Sequence, residues 1–489
     1  MRNKITARFI IGYNGRDHVV YENGEIVYEN DTILFVGFDF PGTVDRIIEA
    51  GNSIVSPGFV DLNALGDIDT TVMNYDQPCS LSSGMVWSES YIQAGTHDIV
   101  DTEEENFKSK YALTQLVRNG ITTALPVTSL IYREWAETKD EFERIVDSAV
   151  GLGLRVYLGP SYRSGVHVIR ADGSRTRYWD ESRGLIGLEG AVKFIQEYDG
   201  SHQGLVRGLL VPSTIETCTV ELLKKTRKYS NELAVPIRLH AAQSYLEFRL
   251  INEDYGKTPV QHLSSIGFLG PRTIIPHAIY VNGFSRADCG TGPDLEILRD
   301  TGAIVAHCPF AVARGGLAME SLERFKQLGI RIGMGTDCYP SDMLMNLRLG
   351  SVMCRLVEGS HGVASTADMF RAATLWGANA LERPDLGRLA PGSKADLFII
   401  SLDGFHVGQV DDPIRTMVLY CNSTDIQTVV INGRMVMENR VIPGVDYAAY
   451  SQRAQNYYET LKQSFSERDY LNRPSITLFP ENFKMIRRN

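Results

Sequence analysis

Residues 331–337, RIGMGTD, form a short apolar run that ends on an aspartate. Three earlier runs have the same form but end on a histidine: VPIRLH at 235–240, TIIPH at 273–277 and AIVAH at 303–307. Runs of this length and composition are typical of strands that are buried on both faces, as in a parallel sheet. Four further runs of this kind occur earlier in the chain, at 54–62, 120–127, 154–159 and 205–212. The sequence therefore predicts eight parallel strands.

Helical patterns fill the segments between several of these runs, at 103–118, 139–152 and 220–233. Consecutive parallel strands need such crossover helices, and eight strand-helix units close into a barrel. We therefore predict an α/β fold in which residues 57–384 form a (β/α)8 barrel.

The two ends of the chain have a different pattern. Residues 1–56 and 385–445 alternate apolar and polar residues in short stretches, with turn dipeptides such as Asn432-Gly433, which is typical of antiparallel hairpins. We predict that both flanks form one small composite β domain of the sandwich type. The tail at 446–489 contains a helical stretch, and we expect it to pack across a subunit boundary in a homo-oligomer.

Two connections in the barrel, at 63–102 and 161–188, are too long to be simple turns. Both follow the carboxyl end of a strand, where such barrels carry their active sites, so we expect them to cover or line a pocket. Their large side chains either contact a planar substrate or only anchor the loops. These side chains are Tyr75, Trp87, Tyr91, Tyr162, Arg163, Tyr178 and Trp179.

The composition is that of an ordinary globular protein. Of the 489 residues 43% are hydrophobic and 22% charged, and the net charge of −10 argues against a nucleic-acid partner. No run approaches the roughly 18 apolar residues that cross a bilayer, and the N-terminus lacks the apolar core of a signal peptide. We expect a cytoplasmic protein with no membrane partner. The cysteines lack CxxC spacing and are expected to be reduced thiols: Cys79, Cys218, Cys289, Cys308, Cys338, Cys354 and Cys421.

The polar residues at the strand ends predict a functional site. His240, His277, His307 and Asp337 each close an apolar strand, where burying a polar group is costly unless it is hydrogen-bonded or binds a metal. Two imidazoles and one carboxylate can hold a divalent ion with one position open for water. Such an ion lowers the pKa of its water toward about 7 and polarises a carbonyl. The residues therefore indicate metal-dependent hydrolysis.

Eight motifs resemble the amidohydrolase superfamily, in their order and over nearly the whole chain. They are SPGFVDLN at 56–63, NGITTA at 119–124, LHAAQ at 239–243, PHA at 276–278, AHCPFA at 306–311, GMGTD at 333–337, ATLWGANAL at 373–381 and GRLAPGSKADLFII at 387–400. The chlorohydrolase, deaminase, and urea or carbamate hydrolase branches are the most similar. The resemblance implies that His240 and His277 are metal ligands and that Asp337 binds or faces the metal and acts as general base. It also implies that His307 contacts the substrate.

The first metal-binding motif departs from the family pattern. The family writes PGFVDxHxH on the first strand, whereas this chain has Asn63 and Leu65 in place of the two histidines. Three alternatives remain open: Asn63 completes a one-metal site, Asp67 or Asp69 replaces the lost ligands, or no metal binds. A phenylurea and thiocarbamate hydrolase branch is similar in carrying asparagine for the first histidine.

A second departure concerns proton transfer. The family often continues its fifth-strand motif as His-x-x-Glu, and in deaminases the glutamate shuttles a proton. This chain has Gln243, which can form hydrogen bonds but cannot transfer a proton as a carboxyl group does. The fourth strand, LVRGLLVPS, lacks a lysine that could become a bridging ligand, which disfavours a binuclear site.

We therefore expect a hydrolase with one divalent ion that cleaves an amide, urea or carbamate C–N bond of a small molecule. Zinc is the first choice of metal, with iron, cobalt or manganese as alternatives. The metal ligands would be His240, His277, Asp337 and Asn63, and His307 and Gln243 would orient the substrate. The alternatives are a deaminase or dechlorinase of a heterocycle, and a metal-free homologue that only binds a ligand. Because neighbouring residues on a strand face opposite sides, we expect the cysteines at 308 and 338 to face away from the pocket.

Overall fold

The computed structural model describes residues 1–76, 85–128, 133–320 and 322–486. Strands and helices are numbered in chain order. The central sheet consists of eight parallel strands: β6 (Phe59–Leu65), β8 (Ile121–Val127), β9 (Arg155–Leu158), β13 (Val206–Gly208), β15 (Ile237–Arg238), β16 (Thr273–Pro276), β17 (Ile304–His307) and β18 (Arg331–Met334). Its order is β13-β9-β8-β6-β18-β17-β16-β15, and a parallel bridge from Leu210 to Ile237 joins the two ends into a barrel.

A second sheet combines strands from both ends of the chain. Its members are β1 (Arg2–Tyr13), β2 (His18–Glu29), β3 (Thr32–Gly37), β4 (Arg46–Glu49), β5 (Ser53–Pro57), β19 (Leu397–Ser401), β20 (Ile426–Ile431) and β21 (Arg434–Met437). The two flanks meet where β5 pairs antiparallel with β19. The predicted fold class, a (β/α)8 barrel with an added β domain built from both flanks, is confirmed.

The predicted first strand is two strands. The run at 54–62 begins as β5 in the flank sheet, passes Gly58 and continues as β6 in the barrel. A side chain at Gly58 would overlap with the Thr122 side chain on β8, so only glycine permits this close approach. The apolar pattern did not reveal the break because both strands are buried.

The helices lie in the connections between the barrel strands and in the segments that follow the last of these strands. They are α1 (Glu89–Ala94), α2 (Thr102–Arg118), α3 (Lys139–Leu152), α4 (Glu181–Tyr198), α5 (Ser201–Gly204), α6 (Val220–Leu233), α7 (Tyr245–Tyr255), α8 (Pro259–Ser265), α9 (Asp294–Thr301), α10 (Pro309–Arg314), α11 (Leu322–Leu328), α12 (Met343–Glu358), α13 (Thr366–Ala373), α14 (Leu375–Ala380), α15 (Pro413–Leu419), α16 (Tyr447–Arg468) and α17 (Ser475–Leu478). The three helices predicted from the sequence correspond to α2, α3 and α6.

Local sequence explains where these helices begin and end. For α3, Thr138 and Glu141 form a capping box at the first turn, and Gly153 takes the left-handed conformation after the last. Within the described residues, none of the helices combines the length and the apolar character needed to cross a membrane.

The two long loops contact each other above the barrel. β7 (Trp87–Ser88) from the first loop pairs with β11 (Gly165–Ile169) from the second, and β11 also pairs with β12 (Arg175–Trp179). β10 (Ser161–Tyr162) and β14 (Val211–Pro212) form a shorter parallel pair. Residues 77–84, with Cys79, lie outside the described residues, and the six other cysteines are free and buried.

The C-terminal tail packs on its own chain. In α16, Tyr457 and Leu461 pack against Ile68 of the first long loop, and Phe465 packs against Met73 of the same loop. The tail therefore supports the segment that follows the first barrel strand. This buried face of the tail is used within the chain, and packing of the tail across a subunit boundary stays a prediction.

Candidate metal centre

Three side chains meet at the carboxyl-terminal mouth of the barrel. His240 lies two residues beyond β15, His277 directly follows β16, and Asp337 lies three residues beyond β18. One carboxylate oxygen of Asp337 lies 3.7 Å from Nε2 of His240, and the other lies 3.6 Å from Nε2 of His277. One ligand atom from each residue lies within 4.8 Å of the other two. Among the described residues, His240, His277 and Asp337 form the group of side chains that could hold a metal ion.

The backbone at this site adopts an unusual conformation. His277 has a φ of 71° and Asp337 a φ of 60°, which is the left-handed region that residues with a side chain rarely adopt. Such a conformation costs on the order of 1–3 kcal/mol and is concentrated at functional sites. The two turns direct both side chains to the same point.

The protonation states of the cluster suit a divalent metal. Burial lowers the pKa of His277 to about 4, so its imidazole is neutral at neutral pH. Burial alone would raise the pKa of Asp337, but His277, His240 and the Asn63 amide outweigh it and hold this pKa at about 2. Both ring nitrogens of His277 are buried and have no hydrogen-bond partner among the described residues. A metal would supply the partner that this buried imidazole otherwise lacks.

Asn63 lies beside the cluster but presents its nitrogen to it. Its side chain is fully buried, and Nδ2 donates a hydrogen bond to Oδ1 of Asp337 at 2.5 Å. Its Oδ1 is buried without a hydrogen-bond partner among the described residues. Asn63 thus orients Asp337 as the structure stands, and its amide would have to rotate to offer oxygen to a metal.

The two alternative ligands lie outside the cluster. Asp69 accepts hydrogen bonds from the backbone nitrogens of Thr71 and Tyr339 and pairs with Arg314 at 3.1 Å. Asp67 pairs instead with Lys108. The structure therefore does not bring either carboxylate to the three ligands.

A cleft with a volume of about 450 Å³ opens above the cluster. It is lined by Leu65, Asp67, Ile68, Asp69, Thr70, Thr71, Tyr75, Val127, Thr128, His240, Gln243, Ala311, Arg314, Gly315, Asp337 and Cys338. Of the loop aromatic residues named in the sequence analysis, Tyr75 lines this cleft. Trp87, Tyr91 and Tyr178 pack together instead, and Tyr162 is buried with its hydroxyl 3.0 Å from that of Thr226. Most of these aromatic residues anchor the loops.

Gln243 lines the cleft, as the sequence predicts, and a second residue holds its loop. Its backbone nitrogen donates to Glu247 at 2.9 Å, and the same carboxylate accepts from the nitrogen of Ala242 at 2.6 Å. The side chain of Gln243 is therefore carried by a loop that is anchored to the start of α7.

His307 does not reach the cleft. Its ring lies near Gly350 of α12, and with Met369 and Trp376 it lines a separate internal cavity between the barrel and the outer helices. Burial lowers its pKa to about 3. The predicted substrate contact is not supported by this position, because a residue that ends a strand can face either the lumen or the helices.

The prediction that the cysteines at 308 and 338 face away from the pocket is wrong for Cys338. Cys338 lines the cleft, and Sγ of Cys308 lies 3.8 Å from Nδ2 of Asn63. Cys308 directly follows the end of β17 and Cys338 lies four residues beyond the end of β18, so strand alternation no longer applies to either. Burial raises the pKa of Cys338 to about 12, so it is a neutral thiol.

Two buried charged residues of the barrel strands, Arg238 and Asp61, were not predicted as part of the site. Arg238 is fully buried on β15, and its guanidinium spans the barrel to donate to the carbonyl oxygens of Leu125 and Pro126 on β8. Asp61 is also fully buried on β6 and accepts from the hydroxyl of Thr336 at 2.6 Å. A charge inside an otherwise apolar run was the signal that could have identified both.

Known proteins match this chain over most of its length. The model of the Amidohydrolase family matches residues 54–436. The chain is 26% identical over 442 residues to 5-methylthioadenosine/S-adenosylhomocysteine deaminase of Desulfitobacterium hafniense (strain Y51), covering 87% of this chain and 91% of that protein. It is 24% identical over 445 residues to 5'-deoxyadenosine deaminase of Methanosarcina barkeri, covering 90% of this chain and 94% of that protein.

Solved structures share the fold. An adenosine deaminase from Xanthomonas campestris with bound zinc superimposes with a TM-score of 0.76 at 17% identity, covering 94% of this chain and 98% of the other. Atrazine chlorohydrolase from Arthrobacter aurescens, in complex with zinc, superimposes with a TM-score of 0.74 at 20% identity, covering 93% and 100%.

Proposed function

The chain belongs to the amidohydrolase family, and from that premise we propose that it is a metal-dependent hydrolytic deaminase of an aminated heterocycle of the adenine type. The resemblance seen in the sequence is thereby confirmed, as is the expectation of a hydrolase that acts on C–N bonds other than peptide bonds. The observation that carries the proposal is the cluster of His240, His277 and Asp337 at the base of an open cleft.

The relatives favour deamination over our first expectation. Two groups of similar proteins are deaminases of adenosine derivatives, whereas the sequence analysis placed amides, ureas and carbamates first. The preference for amides, ureas and carbamates depended mainly on Gln243 and on the asparagine at position 63. Both chemistries add water to a carbon bonded to nitrogen, so the same cluster serves either one.

We assign His240, His277 and Asp337 as the residues that hold one divalent ion, with zinc as the first choice. When bound, the ion supplies a Lewis acid and lowers the pKa of a water molecule. Asn63 orients Asp337, or joins the ligands after rotation of its amide.

The chain's own side chains then act on the substrate. Asp337 accepts a proton from the attacking water, and the Gln243 amide forms hydrogen bonds with the heterocycle. Leu65, which replaces a histidine of the family pattern, gives the cleft an apolar wall next to the cluster. A cytoplasmic location and a homo-oligomeric state remain predictions from the sequence.

The experiment is a substrate panel on the metal-analysed protein. Purified enzyme should convert adenosine, 5'-deoxyadenosine or 5-methylthioadenosine to the oxo product with equimolar release of ammonia. Removal of metal by chelation should abolish turnover, and added zinc should restore it. Hydrolysis of anilides, phenylureas or carbamates without any deamination would refute the proposal and favour our first expectation.

A second candidate is a metal-free homologue that only binds a small molecule. The observations that favour it are Leu65, which cannot bind a metal, and the Asn63 amide, which already occupies one oxygen of Asp337. This candidate predicts under about 0.2 metal ions per chain after gentle purification, and ligand-induced thermal shifts without turnover.

A further inference from the structure

The cleft contains a second buried carboxylate, and its pKa lies close to neutral. Asp67 lies two residues beyond β6, lines the same cleft as His240, Gln243 and Asp337, and is only 8% exposed. It does not belong to the group of three residues that could hold a metal. Its carboxyl group pairs with the Lys108 ammonium and also faces the cleft.

Deamination of a heterocycle needs a proton donor that the cluster does not contain. The ring nitrogen next to the reacting carbon must gain a proton as water adds, and Gln243 cannot supply one. Among the described residues of the cleft, Asp69 has both carboxylate oxygens engaged, one by the backbone nitrogen of Thr71 and the other by Arg314 and the backbone nitrogen of Tyr339. Cys338 is a thiol whose pKa burial raises to about 12. Asp67 is the carboxyl group that is left.

The surroundings of Asp67 allow it to exchange a proton. Burial raises its pKa to about 6, and the Lys108 ammonium, 3.6 Å away on α2, limits the rise. Glu105, which lies 3.0 Å from the same ammonium, and Glu137 raise this pKa further. Among the described residues, Tyr457 of α16 also interacts with Asp67, and burial raises the pKa of its phenol well above the usual value. Asp67 is thus partly protonated at neutral pH.

We propose that Asp67 is the catalytic acid of this deaminase, in place of the carboxyl group that the chain lacks at Gln243. The inference rests on the proposed function. Protonated Asp67 gives its proton to the ring nitrogen while water oxygen bonds to the amino-bearing carbon and Asp337 takes one proton of the water. Asp337 then gives that proton to the amino group, the C–N bond breaks, and ammonia leaves. The hydroxyl proton of the intermediate returns to Asp67 as the C=O bond forms, so both carboxyl groups are restored.

The test compares Asp67→Asn with Asp67→Glu and with a control, Asp76→Asn, an exposed aspartate further along the same loop. Asp67→Asn should lower kcat on an adenosine substrate by about 10²- to 10⁴-fold, with KM and metal content unchanged. Asp67→Glu should recover part of kcat because it keeps a carboxyl group. Asp76→Asn should behave as wild type.

The pH profile gives a readout that a purely structural role would not change. Because the acid must be protonated, kcat of the wild type should fall as pH rises through about 6, and Asp67→Asn should lose this dependence. In infrared difference spectra between about pH 5 and pH 8, one protonated carboxyl band should disappear in Asp67→Asn.

The outcomes separate the acid role of Asp67 from the proposed function. If Asp67→Asn loses its metal, Asp67 is a ligand and the proposed acid is wrong. If the wild type deaminates and Asp67→Asn retains kcat and the pH profile, the acid role is overturned while the proposed function stands. If the wild type deaminates none of the substrates, both statements fall, even where the infrared band identifies Asp67 as a carboxylic acid.

Discussion

Removal of the Asn63 side chain should weaken metal binding by about 10- to 100-fold. Nδ2 of Asn63 donates to Oδ1 of Asp337 at 2.5 Å, and Asn63 is fully buried. A hydrogen bond to a charged group contributes about 1.5–3 kcal/mol. At about 1.4 kcal/mol for each factor of ten, that range corresponds to one to two orders of magnitude in the dissociation constant. Partners that orient a metal ligand have effects of this size.

The assay titrates zinc into metal-stripped Asn63→Ala in the presence of a competing chelator, with the wild type measured in parallel. Leu65→Ile is the matched control, because it changes a side chain on the same strand and introduces no donor atom. Its dissociation constant should stay within about threefold of wild type, since no ligand or ligand partner is removed. Equal affinity of Asn63→Ala and wild type would refute the orienting role. A loss well beyond 10³-fold would instead identify Asn63 as a direct ligand.

Three further predictions concern the base, the acid sensitivity and the contact between the two domains. Asp337→Asn should keep the fold and reduce turnover by about 10²- to 10⁴-fold, measured as ammonia release and by circular dichroism. His307 has a pKa of about 3 in the folded chain and about 6.5 when unfolded, so the free energy of unfolding should fall by up to ~1.4 kcal/mol for each pH unit from about 6.5 down toward 3. Urea unfolding of His307→Gln should show a flatter pH dependence, and an unchanged slope would contradict the assignment. Asp396→Asn should destabilise the chain by about 3–5 kcal/mol, because it leaves the buried guanidinium of Arg155, now 3.1 Å from Asp396, without its carboxylate partner and with the neutral oxygens of Gly204 and Asn432 as acceptors. A loss below about 1 kcal/mol in urea unfolding would show that this pair does little to join β9 to the flank sheet.

The regular elements could be predicted from the sequence because local chemistry determines them. The barrel strands are buried on both faces, so each appears as an apolar run, and their ends place polar side chains at one mouth of the barrel. Helices α3 and α6 begin and end where predicted, since Thr138 and Thr219 cap their first turns. The order of these elements was enough to predict the barrel, the composite sheet and the gathering of His240, His277 and Asp337.

Only the tertiary structure decided where individual side chains point and which distant residues pair. Strand alternation holds while the backbone is extended, and it fails at His277 and Asp337, where φ is positive, and at His307, whose ring faces the outer helices. The pairing of Asp67 with Lys108 depends on the packing of α2 against the first loop, a contact between segments far apart in the chain. Apolar burial has no direction, so it can be predicted from composition, whereas a carboxylate acquires its pKa and its role from the few atoms that the fold places beside it.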